Sequence, residues 1–218
     1  MLRHSTFWVC ALLCVGCLSD SAWSQTDSTN GSATESSPAA VNAYTKAATL
    51  QNNSAYDLAA EAWNAYLKNH PDDVRVVDAR YNLGVCLLEL KQLAKARSQL
   101  QACLATAEDF DRREDAMLNL GWATYMLGMQ DQPKLFSEAR NVFDDLLESY
   151  PNGKHRDQAQ FLRGESIYLS GDKAAAAEAY RQLAEQSPNS DLLPNTLYAL
   201  GVTYEELGQQ ASAGGAYD

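Results

Sequence analysis

Residues 151–188 read PNGKHRDQAQFLRGESIYLSGDKAAAAEAYRQLAEQSP. Gly164 stands 13 residues after Pro151, Ala176 comes 12 residues later, Tyr180 four beyond that, and Pro188 closes the stretch 12 residues past Ala176. These spacings describe a helical hairpin. A Gly on the first helix and an Ala on the second let the two backbones approach, and an apolar residue one turn on locks the pair. Proline cannot continue the second helix, so the chain turns away. Gly171 falls seven residues after Gly164, where the turn inside the hairpin needs a relaxed φ.

The same marks recur on both sides. Gly84, Gly121, Gly164 and Gly201 follow one another at intervals of 37, 43 and 37 residues. Pro71 precedes Gly84, and Pro188 precedes Gly201, by the same 13 residues; Glu108 takes that place before Gly121. Ala96 and Ala213 match Ala176, while Ala139 comes six residues late, which puts an insertion in the turn-rich stretch Gly128–Pro133. Leu100, Phe143 and Tyr217 match Tyr180, and Gly208 matches Gly171. An earlier unit has Ala47 in the Gly place, with Ala59, Trp63 and Pro71. The expected packing set is thus Gly84, Ala96, Gly121, Ala139, Gly164, Ala176, Gly201 and Ala213, whereas Gly153, in a linker, should tolerate a side chain. A fixed period of this length marks units that cannot bury their apolar faces alone and stack to do so.

Leu83-Gly84, Leu120-Gly121 and Leu200-Gly201, with Tyr204, Gly208 and the Ala, Phe/Tyr and Pro places above, resemble the tetratricopeptide repeat. The Sel1-type repeat, which usually has more Gly in its turn and no Pro, ranks second. The resemblance covers residue 41 to the end, with extra residues in the linkers between hairpins. That variant resembles exported bacterial envelope members such as the TolA-binding cell-division coordinator and the lipoprotein of the β-barrel assembly machinery. It implies an all-α, right-handed solenoid of stacked antiparallel hairpins, with units at 41–71, 72–108, 109–151, 152–188 and 189–218, the last incomplete. It also implies a concave groove lined by the positions three before each Gly and one and four after it. On this chain those include Tyr81, Trp122, Tyr125, Phe161, Tyr168, Tyr198, Glu165 and Glu205. These aromatics either meet a partner or pack hairpin on hairpin.

The ends and the composition set the setting. Arg3 followed by the twelve uncharged residues Phe7–Leu18, then Ala22-Trp23-Ser24, reads as a secretory leader over 1–24 with cleavage before Gln25. Cys14-Val15-Gly16-Cys17 loosely resembles a lipoprotein box with Cys in place of Leu; membrane association is expected only if Cys17 is lipidated. Residues 25–40, nearly all Ser, Thr, Asn, Gly and Ala, form a flexible tether. The chain is therefore expected in the periplasm or cell envelope.

With 17 Lys and Arg against 28 Asp and Glu, the net charge of −11 opposes nucleic-acid binding. Three histidines, and one Cys-x-x-Cys pair (Cys14 and Cys17) that falls inside the leader, leave no metal site in view, and no catalytic or cofactor motif is present. His70 and His155 read as solvated linker residues, and Asp144-Asp145 and Glu205-Glu206 as solvated helix faces. Cys86 and Cys103 are too far apart for a disulfide: an axial offset of ~10 Å adds to helix axes ~8–10 Å apart. Both read as small buried apolar side chains. The expected function is a non-enzymatic scaffold holding a protein or peptide in the groove, with apolar anchors and basic flanks. Two alternatives are an envelope adaptor docking by its convex face or open end, and the targeting arm of a longer enzyme.

Overall fold

The computed structural model describes residues 36–106 and 109–217. The leader, Cys17 and all but the end of the tether lie outside the described residues, as does Asp218. The described residues form ten α-helices and no strand: α1 (Pro38–Asn52), α2 (Tyr56–Asn69), α3 (Val76–Glu89), α4 (Leu93–Thr106), α5 (Arg113–Met129), α6 (Leu135–Ser149), α7 (Arg156–Leu169), α8 (Lys173–Gln186), α9 (Leu193–Glu206) and α10 (Gln210–Tyr217). The first helix opens at Pro38, three residues before the expected boundary, because Ser37 accepts a hydrogen bond from the Ala40 amide and Pro38 suits the first turn.

Consecutive helices pack as five antiparallel hairpins stacked into a right-handed solenoid. First helices of neighbouring hairpins also touch (α3 with α5, α5 with α7), more than any two second helices do. The first helices therefore line the inside of the curve and the second helices its outside.

The repeated Gly works differently from the expected Gly–Ala approach. A Cβ on Gly84 would lie 2.8 Å from Cγ of Leu100, on Gly121 2.7 Å from Cζ of Phe143, and on Gly164 2.6 Å from Cε1 of Tyr180. Each glycine is thus the seat for the large side chain of the second helix. Ala96, Ala139 and Ala176 are fully buried beside it. Gly153 is not the open position expected: a Cβ there would lie 2.7 Å from Cδ of Glu114 and 2.9 Å from Cβ of Tyr150.

All five hairpin turns contain one residue with positive φ: Ser54 (57°), Lys91 (58°), Asp131 (67°), Gly171 (99°) and Gly208 (73°). Only the last two use the residue that adopts this conformation without steric cost. The third turn arrives late because α5 runs to 17 residues where the other first helices of the interior hairpins have 14. The second helices stop at His70, Tyr150 and Ser187, each followed by proline.

Candidate functional site

Arg75, Arg112 and His155 are the N-cap residues of α3, α5 and α7, and none makes a side-chain cap bond. A basic group at a helix N-terminus works against the helix dipole and replaces the usual capping hydroxyl or carboxylate. Their reach explains them. The Arg75 guanidinium lies 4.8 Å from the centroid of the Tyr44 ring, and its Nε donates to Asp73 Oδ1 at 3.0 Å. Arg112 lies 4.4 Å from the Tyr81 centroid and donates to Asp78 Oδ1 (2.7 Å) and to Asn82 Oδ1 (3.1 Å). His155 Nε2 sits 2.6 Å from Asp115 Oδ1, which Lys154 Nζ also approaches at 2.7 Å. His155 is thus a junction residue, not the solvated linker residue expected.

These contacts fix the state of the carboxylates. Burial by itself would raise Asp73, but hydrogen bonds from Arg75 and Tyr66 outweigh it and hold the carboxyl far below its ordinary range. Asp115 behaves alike: burial is overcome by His155 and Lys154, and its pKa is lowered.

The far half of the inner face uses hydroxyls instead. Glu165 Oε1 accepts from the Tyr180 hydroxyl at 2.6 Å, and Oε2 from the Tyr125 hydroxyl at 3.5 Å. Burial raises the Glu165 pKa in spite of both bonds. Tyr168 donates to Glu206 Oε2 at 2.7 Å, and Lys173 Nζ approaches the same oxygen at 3.1 Å. Asp144, expected to be a solvated pair with Asp145, bridges Arg140 of its own helix and Arg163 of α7.

The expected groove residues divide. Trp122 and Phe161 are 8% exposed and Tyr125 1%. Trp122 stacks on Tyr125 with centroids 5.8 Å apart, and Phe161 packs on Tyr180 at 6.2 Å. These three pack within and between hairpins, and Glu165 is engaged by tyrosines. Tyr81 is half-buried beneath Arg112, Tyr168 is half-buried with its hydroxyl on Glu206, and Tyr198 and Glu205 are exposed. Cys86 and Cys103 are buried free thiols, pushed up by burial to about 12 and about 11. Two features went unread in the sequence. One is the basic N-cap series. The other is a small residue five places before each Gly, Ala79, Ala116, Ala159 and Thr196, all fully buried. Both recur at fixed distances before the glycines, nine and five residues, but what the cations lie over does not follow from that spacing.

Two family models, both described as tetratricopeptide repeat, match residues 44–109 with 135–191 and residues 115–153, more than half of the chain. The chain belongs to the tetratricopeptide repeat family. Solved tetratricopeptide-type solenoids resemble it in fold. MamA matches at 18% identity and TM-score 0.64, covering 78% of this chain and 90% of that one. MamA residues 41-end from Desulfovibrio magneticus RS-1 matches at 13% identity and TM-score 0.68, covering 83% and 92%. YrrB, described as a TPR protein with an unusual peptide-binding site, matches at 18% identity and TM-score 0.64, covering 81% and 82%. No curated protein sequence matches the chain.

Proposed function

We propose that this tetratricopeptide repeat chain is an exported, non-enzymatic scaffold of the periplasm or cell envelope that holds a segment of a partner protein along its inner face. The observation that carries this is the surface where α7 meets α9. Half-buried Tyr168, its hydroxyl on Glu206, and exposed Glu205 and Tyr198 offer rings beside two carboxylates, of which Glu206 is met by Lys173. In the near half Arg75 and Arg112 are each matched by an aspartate, so the inner face there is close to neutral. A partner segment with apolar anchors would therefore lay its Lys or Arg flank over α7 and α9. The peptide-binding site named for YrrB supports a peptide or protein as the class of ligand. Export rests on the charged start, the short apolar run and Ala22-Trp23-Ser24.

Screening a peptide library tests this reading. Lys- or Arg-flanked apolar peptides should be selected, and Tyr168→Ala should weaken them about tenfold or more while leaving the thermal midpoint nearly unchanged. Selection of acidic peptides, or undiminished binding by Tyr168→Ala, refutes it. Mass spectrometry of secreted protein should find Gln25 at the mature N-terminus; an intact Met1 or a lipid on Cys17 refutes the cleavage.

A further inference from the structure

Along the outside of the curve, the residue one after each repeated Ala differs from helix to helix. It is Ala60 on α2, Arg97 on α4, Arg140 on α6 and Ala177 on α8. Arg97 spans the groove from α4 to α6 and pairs there with Glu138. Arg140 turns to Asp144 of its own helix. Between α2 and α4, Ala60 offers no such side chain. A groove of about 400 Å³ stays open there, floored by Leu87 and Leu90 at the end of α3.

The walls of this groove carry groups that folding leaves unused. Asp57 and Glu61 stand one turn apart on α2, and neither meets a cation among the described residues. Lys95, on the opposite wall, donates to Gln92 Oε1 at 2.8 Å and to neither carboxylate. Glu178, which matches Glu61 on α8, is held by Arg181; on α2 Asn64 takes the place of that arginine. Gln99 completes the α4 wall, where α2, α6 and α8 have the apolar Ala62, Val142 and Ala179. Its Oε1 is buried and receives no hydrogen bond. A buried acceptor without a donor is costly, so this amide lacks a partner that the fold does not supply.

We infer that the groove between α2 and α4 receives an arginine side chain of a partner protein docked on the outer face. A guanidinium brings what the groove lacks: a cation for Asp57 and Glu61, and enough N–H donors to serve Gln99 as well. Its stem would lie on Leu87 and Leu90. Arg97 makes the same kind of bridge within the chain one groove further on. Lysine serves less well, because a compact ammonium cannot meet both the carboxylates and the amide, and Lys95 already brings one to the rim. The bearer is a protein because Asp57, Glu61, Asn64, Lys95 and Ser98 are all exposed. An open trough encloses a small ligand poorly, whereas the surface of a partner can close it. This groove is separate from the inner face, and its test stands apart from that of the proposed function.

The probes are a blocked Ala-Arg-Ala tripeptide, its Ala-Lys-Ala counterpart and free arginine. Each is titrated into the full chain while the side-chain amide signals of Gln99 and Asn64 are followed by NMR. The arginine tripeptide should shift the Gln99 signal saturably and bind about tenfold more tightly than the lysine one. Glu61→Gln, a change at an exposed residue, should weaken it about tenfold and leave the thermal midpoint unaltered. Ala60→Arg should abolish binding, because the chain then fills its own groove, while Tyr168→Ala should change nothing here. Equal binding of the two tripeptides, or undiminished binding by Glu61→Gln, overturns the inference, since the net charge of −11 alone would then attract them. A folded Ala60→Arg chain that binds as the parent does overturns it too. Tighter binding of free arginine than of the tripeptide would make the groove a small-molecule site and refute the partner. Absence of any saturable shift refutes it outright.

Discussion

At the first two junctions, Arg75 and Arg112 lie over the rings of Tyr44 and Tyr81 and each is held by an aspartate. From the third hairpin onward, Tyr125, Tyr180 and Tyr168 point their hydroxyls at Glu165 and Glu206. The two halves share one hairpin plan, yet the buried carboxyls Asp73 and Glu165 move in opposite directions. Beside a guanidinium a buried carboxyl is held ionised; beside hydroxyls alone, burial wins and the pKa rises. One backbone plan thus carries two electrostatic surfaces.

The largest effect should separate the halves by what sits on the glycine. Gly164→Leu drives a side chain into the Tyr180 ring, itself tied to Glu165, and should cost about 3 kcal/mol. Gly84→Leu meets the end of flexible Leu100 and should cost clearly less by thermal melting. Equal losses would mean that the seats are equivalent.

Next comes the carboxylate pair. Asp73→Asn leaves Arg75 and the Tyr66 hydroxyl without their anion and should cost about 2 kcal/mol at neutral pH. The folded pKa of Asp73 is lowered. Its contribution is therefore present above the unfolded value and lost as pH falls through the folded one, so the difference between parent and Asp73→Asn should shrink in acid.

Glu165 has the opposite sign. Its folded pKa is raised, so its contribution is present below the unfolded value and lost as pH rises through the folded one. Glu165→Gln, which keeps an acceptor for Tyr180, should raise the melting temperature at about pH 8 and much less at about pH 4. A destabilised Glu165→Gln at both values would contradict the contrast.

The smallest effect is in the turns. The near half places Ser54 and Lys91 at positive φ, the far half Gly171 and Gly208. Lys91→Gly should gain, and Gly171→Lys lose, about 1 kcal/mol by chemical denaturation. No change in either would show that the turns are held by their surroundings.

The fold was legible because its signals are periodic. Gly84, Gly121, Gly164 and Gly201 mark each first helix, Pro71, Pro151 and Pro188 end the second, and the late Ala139 marked an insertion at the turn, part of which the chain takes up as a longer α5. The site was legible only in part. Spacing places Trp122 and Tyr125 on the correct helix, but which of their neighbours covers them depends on side chains from the next hairpin, some 40 residues away, such as Glu165 on Tyr125. The cations were hidden for a related reason. Arg75 and Arg112 stand in linkers, where a charge normally reads as solvated, and only the stacked hairpins show that they lie over Tyr44 and Tyr81.

The central claim is that the far half of the inner face receives a basic flank. Its most direct measurement is the affinity of one apolar-anchored peptide made in two versions, Lys-flanked and Glu-flanked, at low and high salt. The Lys version should bind about tenfold or more tightly at low salt, with the gap closing at high salt and collapsing in a Glu205→Gln/Glu206→Gln chain. Equal or tighter binding of the Glu version, unaltered by those two substitutions, would contradict the account.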